Sequence, residues 1–157
     1  MKCRGRTMSG SRRGLRRCRA GNMVIWIATM RTAELANAFP VAATLTRFEN
    51  HCDQITTRSD RRALWMACLG VASCEANPSR RLEAISLANK WMKEQPARVP
   101  LFRQWLEILL SQETLENVLL PTAGNQELRS VCPLAASIRP KEHRAALRFF
   151  QENLANP

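Results

Sequence analysis

Glycine is scarce in this sequence beyond its first residues. Four of the six glycines lie before residue 22, which leaves Gly70 and Gly124 for the rest of the chain. Two glycines cannot supply the left-handed backbone positions of a glycine-rich phosphate loop. The sequence also has no Asn-Gly or Asp-Gly pair, the strongest short signal for a β-hairpin. All eight prolines lie from residue 40 onward, a pattern that favours helices separated by proline.

Histidine is equally scarce, and the motifs of common enzymes are missing. Only His51 and His143 occur, and neither has a second metal ligand at helical spacing. There is no H-E-x-x-H, P-loop, G-x-S-x-G or dinucleotide fingerprint. Cys52 follows His51, but successive helical residues point about 100° apart, so a buried structural thiol is favoured over a nucleophile. His143 shares an apolar stripe with Leu147, which favours packing over general base catalysis. We therefore expect a protein that is not an enzyme, with no catalytic residue, metal or cofactor.

Acidic residues are missing from the first 33 positions, which hold nine lysines and arginines. The rest of the chain holds fifteen basic and thirteen acidic residues, so the net charge of +11 belongs mainly to this segment. We expect residues 1–30 to form a basic, largely disordered tail. Three interpretations stay open: an upstream start chosen too early, a targeting segment around Met23–Met30, or a basic arm. An arm would contact nucleic acid through a cluster of arginines: Arg12, Arg13, Arg16 and Arg17.

The six cysteines contain no C-x-x-C pair. Without clear secretory context an even cysteine count does not make a disulfide framework, and this favours a reducing, cytoplasmic location. No apolar run reaches the roughly 20 residues that span a bilayer, so no membrane span is expected.

The longest uncharged stretch runs from Ala63 to Ala72 and continues through Ser73 and Cys74. A helix that is apolar on all sides must lie inside other structure. We therefore predict a central helix, with Ser59 as a plausible N-cap, surrounded by the rest of the chain.

Helical periodicity recurs before and after this stretch. One apolar stripe follows Pro40 and reaches Ile55. A second helix is predicted from Pro78 to about Glu94, with Leu82, Ile85, Ala88 and Met92 on its buried face. A third spans 101–110 with a short continuation to 120. Residues 122–138 are predicted to be mostly loop with one turn of helix around Gln126 to Ser130, and Pro140 begins the last helix. The expected fold is all-α: a single domain over residues 31–155, an irregular or orthogonal bundle of about five helices.

The apolar faces of 82–92 and 101–110 are wider than a five-helix bundle needs. Trp91, Phe102 and Trp105 lie there, and two interpretations are open. They fill the core, or part of them forms an exposed surface for another protein or a second copy of the chain, since tryptophan anchors interfaces well. The expected function is a protein-interaction module that acts through this apolar surface. The alternative is a nucleic-acid-associated protein that uses the basic tail.

Overall fold

The computed structural model describes residues 39–111 and 115–155, and within these ranges the chain is helical without strands. The predicted all-α fold is confirmed. Six α-helices make up most of it: α1 Val41–His51, α2 Arg58–Ala76, α3 Ser79–Glu94, α4 Val99–Leu110, α5 Ala123–Ser130 and α6 Pro140–Asn153. Short 3₁₀ segments lie at Cys52–Gln54, Pro96–Arg98 and Leu115–Leu119, and one further helical turn, the 133–136 turn, at Pro133–Ala136. The predicted basic tail, residues 1–30, lies outside the described residues.

Helix α2 is the centre of the bundle, as predicted. Every residue from Leu64 to Cys74 is buried. It contacts α1, α3, α5, α6, the 3₁₀ segment at 115–119 and the 133–136 turn. The predicted N-cap is wrong by two residues, because the helix begins at Arg58 and the Thr57 hydroxyl accepts the amide of Asp60 at 3.1 Å.

Trp65 of α2 contacts both the first and the last α-helix of the described residues. Its ring stacks on Phe149 of α6 at a centroid distance of 5.4 Å and meets Phe48 of α1 edge-on at 5.7 Å. Its indole N–H donates to the carbonyl oxygen of Ala146 at 2.9 Å, so its polar atom is satisfied inside the core.

Helix α3 buries most of its predicted face: Ala88 is buried and Ile85 and Met92 pack against the core, but Leu82 does not. Ala84 and Ala88 are fully enclosed, whereas Leu82 is 69% exposed. Small alanines allow α3 to lie close to its neighbours. The buried face also includes Arg80, whose guanidinium donates to the Glu142 carboxylate at 2.9 Å. A buried arginine is stable there because its charge is paired across helices.

The segment 122–138 is not mostly loop, and this prediction is wrong. It contains α5 and the 133–136 turn. The Thr122 hydroxyl accepts the amide of Asn125 at 3.2 Å and caps α5, and Pro133 begins the turn. Both pieces pack on α2. In the part of the chain described, no helix combines the length and apolarity needed to cross a bilayer.

Candidate functional site: a basic cleft beside helix α2

A cleft of about 500 Å³ opens between the first half of α2, the α3–α4 connection, α5 and the 133–136 turn, with His143 of α6 at its border. We call it the Arg129 cleft. Its charged and polar lining comprises Ser59, Asp60, Arg62, Gln95, Arg98, Gln126, Arg129, Ser130 and His143. Its apolar lining comprises Ala63, Met66, Trp91, Phe102, Val131, Cys132, Ala135 and Ala136. The cleft is therefore amphipathic and of a size typical of small-molecule sites.

Arg129 is held in the interior wall of the cleft and is only 4% exposed. Its Nη1 donates to the carbonyl oxygens of Val118 at 2.8 Å and Leu120 at 2.9 Å, the end of the preceding 3₁₀ segment. Helix α5 packs on α2, and these two bonds hold the Arg129 side chain in a fixed position. Burial lowers the pKa of Arg129, because removal from water disfavours the charged form.

The charge of Arg129 has no carboxylate within ion-pair distance among the described residues. Its Nε is shielded from solvent and has no hydrogen-bond partner there. This differs from Arg80, which is buried to a similar degree but paired with Glu142. A buried, uncompensated guanidinium is costly, so a negatively charged group in the cleft would stabilise it.

Two further arginines add to the positive charge of the cleft. Arg62 on α2 and Arg98 at the start of α4 are exposed and line it. Asp60 supplies the cleft's one negative side chain; its carboxylate accepts the Thr57 hydroxyl at 2.5 Å and acts on Arg129 through space. Three arginines against one aspartate leave two net positive charges, with His143 neutral.

The titratable groups of the cleft do not form a catalytic pair. Burial lowers the pKa of His143, and the positive charge of Arg62 lowers it further, so this imidazole is neutral at pH 7. Burial raises the pKa of the Cys132 thiol to about 12, which keeps it protonated. Cys52 does not line the cleft. Burial raises the pKa of its thiol too, and the thiol donates to the backbone oxygen of Glu49. The structure gives neither thiol the features of an activated nucleophile.

The three residues predicted to form a partner surface have different environments. Trp91 is partly exposed, lines the cleft, and lies 5.6 Å from Phe102 with tilted rings. Phe102 and Trp105 are fully buried, as the core-filling interpretation has it, and of the three only Trp91 is partly exposed. The Trp105 indole N–H donates to the carbonyl oxygen of Leu128 at 2.9 Å, where α5 covers α4.

The exposed apolar residues of the α3–α4 pair lie elsewhere. Leu82 and Leu110 are 69% and 68% exposed. Their neighbours in sequence, Arg81 and Leu109, are joined by a hydrogen bond of 2.6 Å from the Arg81 guanidinium to the Leu109 carbonyl. Both leucines therefore lie at the same end of this helix pair.

The arginines predicted to contact nucleic acid all lie outside the described residues: Arg12, Arg13, Arg16 and Arg17. The residues that sequence analysis missed are Arg62, Arg98 and Arg129. Two local signals in this region could have been used. Thr122 is a residue type that caps helices and precedes α5, and Pro133 begins the 133–136 turn. Nothing local in the sequence marks Arg129 as buried.

No cluster of three or more His, Cys, Asp or Glu side chains suited to a metal ion occurs within residues 39–111 and 115–155. Comparison of the chain with family models, curated proteins and solved structures finds no match to any of them.

Proposed function

We propose that this protein is a binding protein that receives an anionic ligand in the Arg129 cleft. The observation that carries the proposal is the Arg129 guanidinium, buried at the wall of an open cleft with no carboxylate at ion-pair distance in the described part of the chain. Arg62 and Arg98 at the rim can donate charge-assisted hydrogen bonds to a carboxylate or phosphate, and the fixed charge of Arg129 would stabilise the same anion through space. The ligand would then supply negative charge beyond that of Asp60.

The side chains of the cleft favour binding without catalysis. The imidazole of His143 makes no side-chain hydrogen bond to a hydroxyl, thiol or carboxylate in the described part of the chain, and the thiol of Cys132 stays protonated. A nucleophile–base pair needs such a bond.

The test is titration of the full chain with inorganic phosphate, followed by calorimetry. We expect saturable binding at one site. The variant Arg62→Gln/Arg98→Gln should weaken it at least about tenfold, since a hydrogen bond to a charged group contributes about 1.5–3 kcal/mol. The matched control is Arg103→Gln/Arg148→Gln, which removes the same charge from exposed positions outside the cleft. Equal losses in both variants, or no saturable binding by the unaltered chain, would refute the cleft as an anion site.

A second candidate function is association with another protein or a second copy through Leu82 and Leu110. Their exposure at one end of the α3–α4 pair supports it, because large apolar side chains in water mark interaction sites when they cluster. Sedimentation of the full chain tests self-association. Leu82→Ser/Leu110→Ser should abolish a dimer, whereas Leu120→Ser, at a residue 44% exposed, should not. A chain that stays monomeric at all concentrations would exclude the second copy as the partner.

Two expectations from the sequence stand beside these as proposals. Nucleic acid would be bound by the arginines of the tail, and the cysteine pattern supports the cytoplasm as the compartment.

A further inference from the structure

The volume of the Arg129 cleft exceeds what a simple anion needs. A cavity of about 500 Å³ lies within the range that accommodates organic ligands, and a single phosphate group would fill only one part of it. The remainder is bounded by apolar and polar side chains together. The cleft therefore has room for a second part of the ligand, and the lining beside the arginines indicates the chemistry that would fit there.

Trp91 is the largest side chain that the cleft leaves partly accessible. Its ring is supported by Phe102 at 5.6 Å, and Phe102 itself is rigidly enclosed in the core. A supported indole at the wall of a cleft is a platform on which a flat aromatic group can stack. Gln95 follows Trp91 by one helical turn, and Gln126 lines the cleft from α5, so amide groups are available for polar edges of the same ring.

The charge of the cleft indicates which anion accompanies the ring. The side chains leave two net positive charges, as counted above from Arg62, Arg98, Arg129 and Asp60. A phosphate monoester carries about −1.5 to −2 charges at pH 7 and presents three acceptor oxygens, whereas a carboxylate carries one charge and two oxygens. The net charge of the cleft therefore matches a phosphate monoester more closely than a carboxylate, and the exposed Arg62 and Arg98 can donate to its oxygens.

We propose that the ligand is an aromatic phosphate monoester of mononucleotide size, with its phosphate at the arginines and its ring on Trp91. This inference rests on the proposed function, because it assumes that the cleft binds an anion. It adds the requirement that ring and phosphate be present in one molecule. Two serines that line the same cleft, Ser59 and Ser130, suit the hydroxyls of a sugar.

The experiment compares three probes on the full chain by calorimetry: adenosine 5′-monophosphate, ribose 5-phosphate and adenosine. The first carries ring and phosphate, and each of the others lacks one. We expect the monophosphate to bind at least about tenfold tighter than either fragment, since base stacking and phosphate contact each add roughly this factor. Trp91→Leu should weaken the monophosphate about tenfold and leave ribose 5-phosphate unchanged. Trp91→Phe, which keeps a ring, should restore most of the affinity.

The outcomes separate this inference from the proposed function. Equal affinity for adenosine 5′-monophosphate and ribose 5-phosphate would refute the aromatic requirement while leaving the anion site intact. Failure of phosphate and of both phosphorylated probes to bind would refute both. If Trp91→Leu does not fold, as shown by circular dichroism, the comparison of the three probes on the unaltered chain still decides the question.

Discussion

Gly70 is the position where the contact between α2 and the 133–136 turn can be tested most directly. A Cβ added at Gly70 would lie 2.6 Å from the Cβ of Leu134 and 3.0 Å from its backbone carbon. Carbon atoms in good contact are about 3.5–4.0 Å apart, so the overlap is on the order of 1 Å. The clash involves the backbone and first side-chain atom of Leu134. Neither can be relieved by a rotamer change, and the turn itself must move.

The expected cost of Gly70→Ala follows from two opposing effects. Overpacking of a well-packed interior costs about 1–3 kcal/mol. Alanine is favoured over glycine in a helix by about 1 kcal/mol, which offsets part of this. We therefore expect the free energy of unfolding to fall by up to about 2 kcal/mol. Displacement of the turn would also disturb Cys132 and Ala135, which line the Arg129 cleft.

The chain contains its own control for this substitution. Gly124 lies in α5, and no heavy atom lies within 4 Å of a Cβ added there. Gly124→Ala should therefore raise the free energy of unfolding by about 0.5 kcal/mol, since it reduces the freedom of the unfolded chain without a clash. Urea denaturation followed by circular dichroism measures both variants. If Gly70→Ala is as stable as Gly124→Ala, the turn does not approach α2 as described.

Three further predictions concern the core, pH and the tail. Trp65→Ala should lower the free energy of unfolding by about 3–5 kcal/mol in urea denaturation, because the side chain is fully enclosed and bonded to Ala146; a loss below about 1 kcal/mol would contradict its enclosure. The lowered pKa of His143 means that the unfolded chain binds its proton more readily, so stability should fall as pH drops below about 6.5, and His143→Gln should flatten this fall in denaturation series at several pH values. Binding of nucleic acid, if it occurs through the tail, should weaken steeply with salt in a filter-binding assay and vanish on deletion of residues 1–22, and persistence after deletion would move it elsewhere.

The sequence was sufficient to predict the centre of the fold and most helices around it. The uncharged run from Ala63 to Ala72 has no polar face for water, so it is stable only when it is buried on all sides. The helices that begin after Pro78 and at Pro140 could also be predicted, because each combines a proline near its first turn with an apolar stripe. These are local signals, and they hold whatever surrounds them.

The exposure of Leu82 on α3 could not be predicted in this way. Ile85, Ala88 and Met92 of the predicted stripe are buried or pack against the core, yet the buried face also includes Arg80 and Ala84. Arg80 is paired there with the carboxylate of Glu142, 62 positions later in the sequence. Hydrophobicity along one helix carries no information about such a distant partner, so an exposed leucine and a buried arginine are both unexpected.

The segment 122–138 shows how a helix of low apolar content can be underestimated from sequence. The sequence predicted a mostly loop segment with one helical turn around 126–130, whereas α5 spans Ala123–Ser130. Helix α5 covers the apolar face of α4, because Leu128 accepts the indole hydrogen of Trp105 and closes the core. The next residue on the same helix is Arg129, whose burial creates the uncompensated charge in the cleft. The basic site was missed because the sequence of α5 is only weakly apolar. That helix is stabilised by what it covers and not by a stripe of its own, which is why the position of the candidate site depends on tertiary packing.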